Sequence, residues 1–138
     1  MKSRFVLLIT LAALTLGVGC TKKNPTPKAA TLEGTWHLKN IKGGLMGINQ
    51  DYVLGDVTWH FNAINKELSV TNTLQPSDPK SGFMFYQTGT YGYQDSTTNG
   101  ALVLFIDGQR AGTVTATQNE LQLDEGITSD GFLLTFAR

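Results

Sequence analysis

The sequence predicts an all-β domain, a small eight-stranded antiparallel up-and-down barrel that follows an export leader and a tether. Three observations predict it. From Leu32 onward apolar and polar side chains alternate with a period of two, and no long stretch keeps a period of 3.6. The alternating runs are short and are separated by Gly, Asn and Asp, residues that suit tight hairpin turns. Hardly a connection is long enough for a helix, so each strand leads directly into an antiparallel neighbour. A two-sheet sandwich is the competing architecture. Short nearest-neighbour hairpins favour the barrel, which removes its own edges by closing.

The leader comes first. Lys2 and Arg4 precede an apolar run from Phe5 to Leu16, and Gly17-Val18-Gly19-Cys20 follows. That is the layout of an export signal. The run is shorter than the roughly 20 apolar residues that a helix needs to cross a bilayer, and small residues follow it instead of a stop-transfer flank. The arrangement resembles the lipoprotein signal of bacteria. The resemblance implies cleavage before Cys20, a lipid on its thiol, and residues 1–19 as a removed signal peptide. Cys20 is the single cysteine, so no intramolecular disulfide is available. One acyl chain holds a protein only marginally, whereas two or three anchor it stably. Thr21 in place of Asp after the cysteine implies, by the same resemblance, the outer membrane, with the domain facing the periplasm.

Residues 20–31 form the lipidated cysteine and its tether. Thr21 to Thr31 contains Pro25, Pro27, Lys22, Lys23 and Lys28 and no large apolar side chain, so it has nothing to bury against the entropy of ordering. The prolines bias it to extended conformations.

The barrel domain spans residues 32–138. Trp36 and Leu38 alternate with Thr35, His37 and Lys39 in the first strand. Val57, Trp59 and Phe61 alternate with Thr58, His60 and Asn62, and a turn over Asn62 to Asn65 leads to Leu68 and Val70. Phe83, Phe85, Tyr91 and Tyr93 share one parity, which predicts a long strand that Gly89 and Gly92 bend. Asn99-Gly100 and Asp107-Gly108 bracket the strand Ala101 to Ile106 and call for positive φ. Thr113 to Ala116, Leu121 with Leu123, and Phe132 with Leu134 and Phe136 complete eight strands. Gly43 to Leu54 and Gln75 to Ser81 are the two longer connections.

Charge and motifs exclude several chemistries. The chain has 11 basic and 11 acidic residues, but residues 33–138 hold 6 and 11, a net of −5. Nucleic acid is not an expected partner, because phosphate binding needs a basic patch. His37 and His60 lie on the outward parity of their strands with no third ligand at usable spacing, so no metal site is expected. Asp124 to Asp130 lacks the alternating acidic pattern of a calcium loop and reads as a solvated turn. No nucleophile elbow or phosphate-cradling glycine loop occurs, so no catalytic residue and no cofactor are expected.

Three features carry a family resemblance. Gly34-Thr35-Trp36 opens the first strand, and Phe132 to Arg138 ends the last one on an arginine. With Gly43 to Asn49 and Val57 to Asn62, this resembles the lipocalin-like, calycin-type lipoproteins of Bacteroidetes-type bacteria. The resemblance implies that Arg138 lies across the Trp36 indole and closes one end of the barrel, a contact of about 0.5–2 kcal/mol. The chain is shorter than a typical lipocalin and has no helix-length segment beside the strands. The expected function is a membrane-anchored monomer that binds a small hydrophobic or amphipathic ligand, with Trp59, Phe61, Phe83, Phe85, Tyr91 and Tyr93 as pocket walls. The alternative is a barrel filled by these same aromatics. Such a barrel would serve as a structural or interaction module for another envelope protein through the Gly43 to Leu54 segment.

Overall fold

The alternating runs fold as nine antiparallel strands in the computed structural model, which describes residues 31–138. The expected signal peptide, Cys20 and the expected tether through Ala30 lie outside the described residues. The strands are β1 (Gly34–Gly43), β2 (Ile48–Asp51), β3 (Val57–Asn62), β4 (Glu67–Asn72), β5 (Gly89–Thr98), β6 (Ala101–Ile106), β7 (Gln109–Ala116), β8 (Glu120–Asp124) and β9 (Phe132–Ala137). The sheet runs β2-β1-β3-β4-β5-β6-β7-β8-β9, and β9 pairs back onto β1. Eight strands therefore close an up-and-down barrel. The closure rules out the sandwich, whose two sheets would leave β1 and β9 unpaired.

The ninth strand was not expected. β2 lies inside the Gly43–Leu54 connection and pairs only with the far half of β1, Asn40 to Gly43, while β3 takes the near half, Gly34 to His37. Its sequence, Ile48-Asn49-Gln50-Asp51, is four residues with one apolar side chain, too short to show alternation.

Two irregularities set which side chains face inward. A bulge between Leu38 and Asn40 shifts the parity of β1, so Trp36, Leu38 and then Ile41 are all buried. A second register shift, between Leu104 and Phe105, places Ala111 and Gly112 of β7 inside together. At Gly112 an added Cβ would meet the Asp124 carbonyl oxygen at 2.4 Å, so only glycine lets β7 and β8 approach this closely.

The hairpin turns follow their chemistry. Asn99 and Gly100 have φ of 51° and 79°, and Asp107 and Gly108 have 48° and 77°, the paired positive values of type I′ turns. β5 changes partner at Gly92, which pairs with Glu67 of β4 while Tyr93 pairs with Ile106 of β6. The Asp107 carboxylate accepts from the Gly92 amide at 2.8 Å and ties the β6–β7 turn to that point.

The long strand over Phe83 to Tyr93 needs correction. β5 begins only at Gly89, and Phe83 ends a short 3₁₀ turn, Pro79–Phe83. Asp78 caps that turn by accepting from the Lys80 amide at 2.9 Å, and Pro79 supplies the fixed φ of the first helical position. The shared parity of Phe83 and Phe85 with Tyr91 and Tyr93 is thus a coincidence of spacing. Residues 73–88 form a strap across one mouth of the barrel.

Candidate functional site

The barrel interior was the expected site, and its own side chains occupy it. Trp59 of β3 sits at the middle, with ring centroids 4.9 Å from Phe136 and 6.1 Å from Phe61. Phe61 meets Tyr93 edge-on at 5.1 Å. Such offset and edge contacts are the favoured arrangements of aromatic rings. Trp59, Phe61 and Tyr93 are each 3% exposed or less. Burial of each stabilises the fold by about 1.5–3 kcal/mol.

The strap finishes the packing. Tyr86 stands edge-on to Trp59 at 5.5 Å and to Tyr91 at 5.5 Å, while Phe83 and Phe85 approach Phe132 at 6.5 and 5.7 Å. What remains beneath it, between Leu38, Val57, Trp59, Met84 and Phe136, is a cavity of about 10 Å³. That is the volume of one water-sized probe, whereas pockets for small molecules run to about 300 Å³ or more.

The six expected pocket residues therefore separate into two groups. Trp59, Phe61 and Tyr93 are core, joined at their edge by the half-buried Tyr91, whose hydroxyl donates to the Gln87 carbonyl at 2.8 Å. Phe83 and Phe85 belong to the strap, and Phe85 is 61% exposed.

The opposite end is closed by the pair named from the sequence. The Arg138 guanidinium carbon lies 4.1 Å from the Trp36 ring centroid. Its nitrogens donate to the carbonyls of Glu33, Thr31 and Gln118, and its backbone amide donates to Asn119 at 3.1 Å. The Trp36 indole N–H donates to the Leu32 carbonyl at 2.7 Å, so the buried ring leaves no donor unmet. Beside this end an open cleft of about 310 Å³ is lined by Glu33, Tyr93, Asp95 and Lys66. The Lys66 ammonium pairs with Asp95 at 2.7 Å and sits 5.2 Å from the Tyr93 ring centroid, so the cleft's cation is already satisfied.

The polar residues considered as ligands bond locally. Nδ1 of His60 lies 2.9 Å from the Thr35 hydroxyl and Nδ1 of His37 lies 3.2 Å from the Thr58 hydroxyl, cross-strand pairs that the β1–β3 register creates. Among the described residues no three His, Cys, Asp or Glu side chains converge. The Asp124 carboxylate accepts from the amides of Gly126 and Ile127 at 2.7 and 2.8 Å and shapes its own turn.

Beside it, Glu125 is half-buried and its carboxyl is pushed up to about 7, first by burial and then by the Asp124 charge. Tyr86 of the strap is raised by burial, and by the negative charge of Glu125 among others.

Sequence reasoning named the Gly43 to Leu54 segment as an interaction surface without identifying its exposed side chains. At the β1–β2 turn Leu45 is 85% exposed and Met46 91%. The signal was present in Gly43, Gly44 and Gly47, all at positive φ, which fold the segment into a hairpin and force its apolar pair outward. Ile64, on the β3–β4 turn at the other end, is 90% exposed. No family model matches the chain, and neither a curated protein nor a solved structure matches it.

Proposed function

We propose that this protein is a filled β-barrel held at the cell envelope by a lipid on Cys20, and that it works through its outer surface as a binding module for another envelope protein. The observation that carries this reading is the interior, where aromatic rings pack on one another and the cavity beneath the strap is about 10 Å³. A domain whose lumen is full, whose two histidines bond to neighbouring threonines and whose Asp124 shapes its own turn offers partners its exterior. The leader and the lone cysteine support the envelope location, and the outer membrane is the proposed face. No reaction is assigned, and the module is proposed to act as a monomer.

A second reading keeps the small hydrophobic ligand expected from the sequence. It is favoured by the strap itself, which covers the mouth with apolar side chains and few strand hydrogen bonds, so that its displacement would open the space above Trp59, Leu134 and Phe136. Native mass spectrometry of the lipidated protein, isolated from membranes, tests both. A protein mass with no companion molecule, unchanged by a panel of hydrophobic dyes, is expected for the module. A stoichiometric apolar molecule that travels with the protein would replace that reading with the second.

A further inference from the structure

Closing a barrel pairs every strand on both sides, yet one strand of this sheet is left outside the closure. β2 pairs with β1 and with nothing on its other edge. The Tyr52 amide donates to the Lys39 carbonyl at 2.9 Å, which fixes the phase of the ladder. Tyr52, Gln50 and Ile48 turn their backbone groups toward β1, so those of Asn49 and Asp51 point away from it. The Asp51 carbonyl is taken by the Lys80 ammonium at 2.9 Å. Both backbone groups of Asn49 and the Asp51 amide remain as an open row.

The side chains along this edge carry a pattern. Asn49 and Asp51 are exposed on the outer face, where both accept from the Asn40 amide at 2.8 Å. Asp51 forms no ion pair; the pair present among the described residues is Lys66–Asp95. Ile48 lies on the other face, packed against the core, and the exposed Leu45 and Met46 continue from it at the tip.

We propose that the β1–β2 hairpin is the docking element, and that an extended, basic segment of a partner protein adds to β2 as a further strand. The inference rests on the module reading above. Main-chain groups spaced along a strand are met in register by another extended backbone. A cation on the added strand reaches the Asp51 carboxylate, which has a bond from Asn40 but no ion pair, and an apolar residue one position along meets Ile48 and the tip. The net charge of −5 over residues 33–138 favours approach of a basic partner. A second copy brings the same charge and the same carboxylate, and an anionic lipid surface is repelled. Position argues likewise against the membrane. Thr31 is bound by Arg138 at the Gly34 end of β1, so the hairpin stands one ten-residue strand away, about 30 Å, from where the lipid-anchored tether joins the domain.

Asn49→Pro isolates the edge. Its amide makes no ladder bond, so the substitution removes an outward donor while β1–β2 pairing is retained. The full-length lipidated protein in detergent micelles is titrated with an octapeptide of alternating arginine and valine, and with one of alternating glutamate and valine. The expected result is at least ten-fold tighter binding of the arginine peptide, with slowed hydrogen exchange at the Asn49 and Asp51 amides. Asn49→Pro loses both while its melting temperature is unchanged. Equal binding of the two peptides, no binding of either, or an affinity that survives Asn49→Pro overturns strand addition.

In cells, photoreactive residues placed at Met46, at Ile64 and at other exposed positions separate this inference from the reading beneath it. A protein crosslinked from Met46 and lost in Asn49→Pro supports the hairpin. Crosslinks from Ile64 or elsewhere without Met46 overturn the hairpin and leave the module reading in place. No protein crosslinked from any position overturns the module reading itself.

Discussion

Glu125 makes the stability of this barrel depend on pH in a way that one substitution isolates. In the folded protein its carboxyl holds a proton up to about pH 7, against an ordinary value of 4.5, because half of the group is withdrawn from water beside Asp124. The unfolded chain releases that proton near the ordinary value. Between about pH 4.5 and 7 the folded state therefore binds more protons than the unfolded one, and stability falls as pH rises through that window and levels off above it. The separation between 4.5 and about 7 corresponds to about 3 kcal/mol at 1.36 kcal/mol per decade. Solvent screening of a carboxyl that is only half-buried reduces this to roughly 1–2 kcal/mol. Glu125→Gln keeps the shape of the protonated acid and removes its titration. Urea denaturation at intervals from pH 4 to 8 measures the difference. Parent and variant should coincide at pH 4, and the variant should be more stable by about 1–2 kcal/mol at pH 8. An equal pH dependence in the two proteins, or a variant weaker than the parent at pH 8, refutes the placement of Glu125 as a half-buried carboxylate beside Asp124.

Three further outcomes are expected. Arg138→Ala removes the cation over Trp36 and its bonds to the Glu33 and Thr31 carbonyls, and should lower stability by about 1–2 kcal/mol in thermal denaturation; an unchanged melting curve removes the clasp. Gly112→Ala drives a Cβ to 2.4 Å from the Asp124 carbonyl oxygen and should cost about 2–3 kcal/mol, with hydrogen-exchange protection lost first along β7–β8; an ordinary stability would show that the two strands separate freely. Cys20→Ser should abolish incorporation of labelled palmitate, and label in that variant would reject the proposed anchor.

The barrel was legible because β structure records its facing in a period of two, and eight runs did so. The turns were legible for a chemical reason, since Asn-Gly and Asp-Gly tolerate the positive φ that both hairpins adopt. Where the pattern misled, a local device had broken the period. Phe83 and Phe85 keep the parity of β5, but the Asp78 cap and Pro79 wind the chain into a 3₁₀ turn before them. Ile41 keeps the wrong parity for β1 and is nonetheless buried, because the bulge after Leu38 turns it inward. Whether the aromatics line a pocket or fill it was not legible at all. That depends on how residues from β3, β5, β9 and the strap meet across the lumen, and spacing within one strand carries no such information.

The packing that fills the interior leaves the hairpin as the place where the proposed docking would occur. Each inward aromatic that fills the barrel raises stability and removes a place for a ligand, and each strand paired on both sides removes a place for another chain. After both operations the exceptions are local. Ile64 and Phe85 are single exposed side chains on a turn and on the strap, and Val53 with Leu54 is a less exposed pair on the loop after β2, of the kind protein surfaces carry. The β1–β2 hairpin combines an unpaired edge, a carboxylate without an ion pair and two neighbouring apolar side chains left almost wholly in water. The strand addition proposed above would cover this open edge and the apolar pair at its tip together.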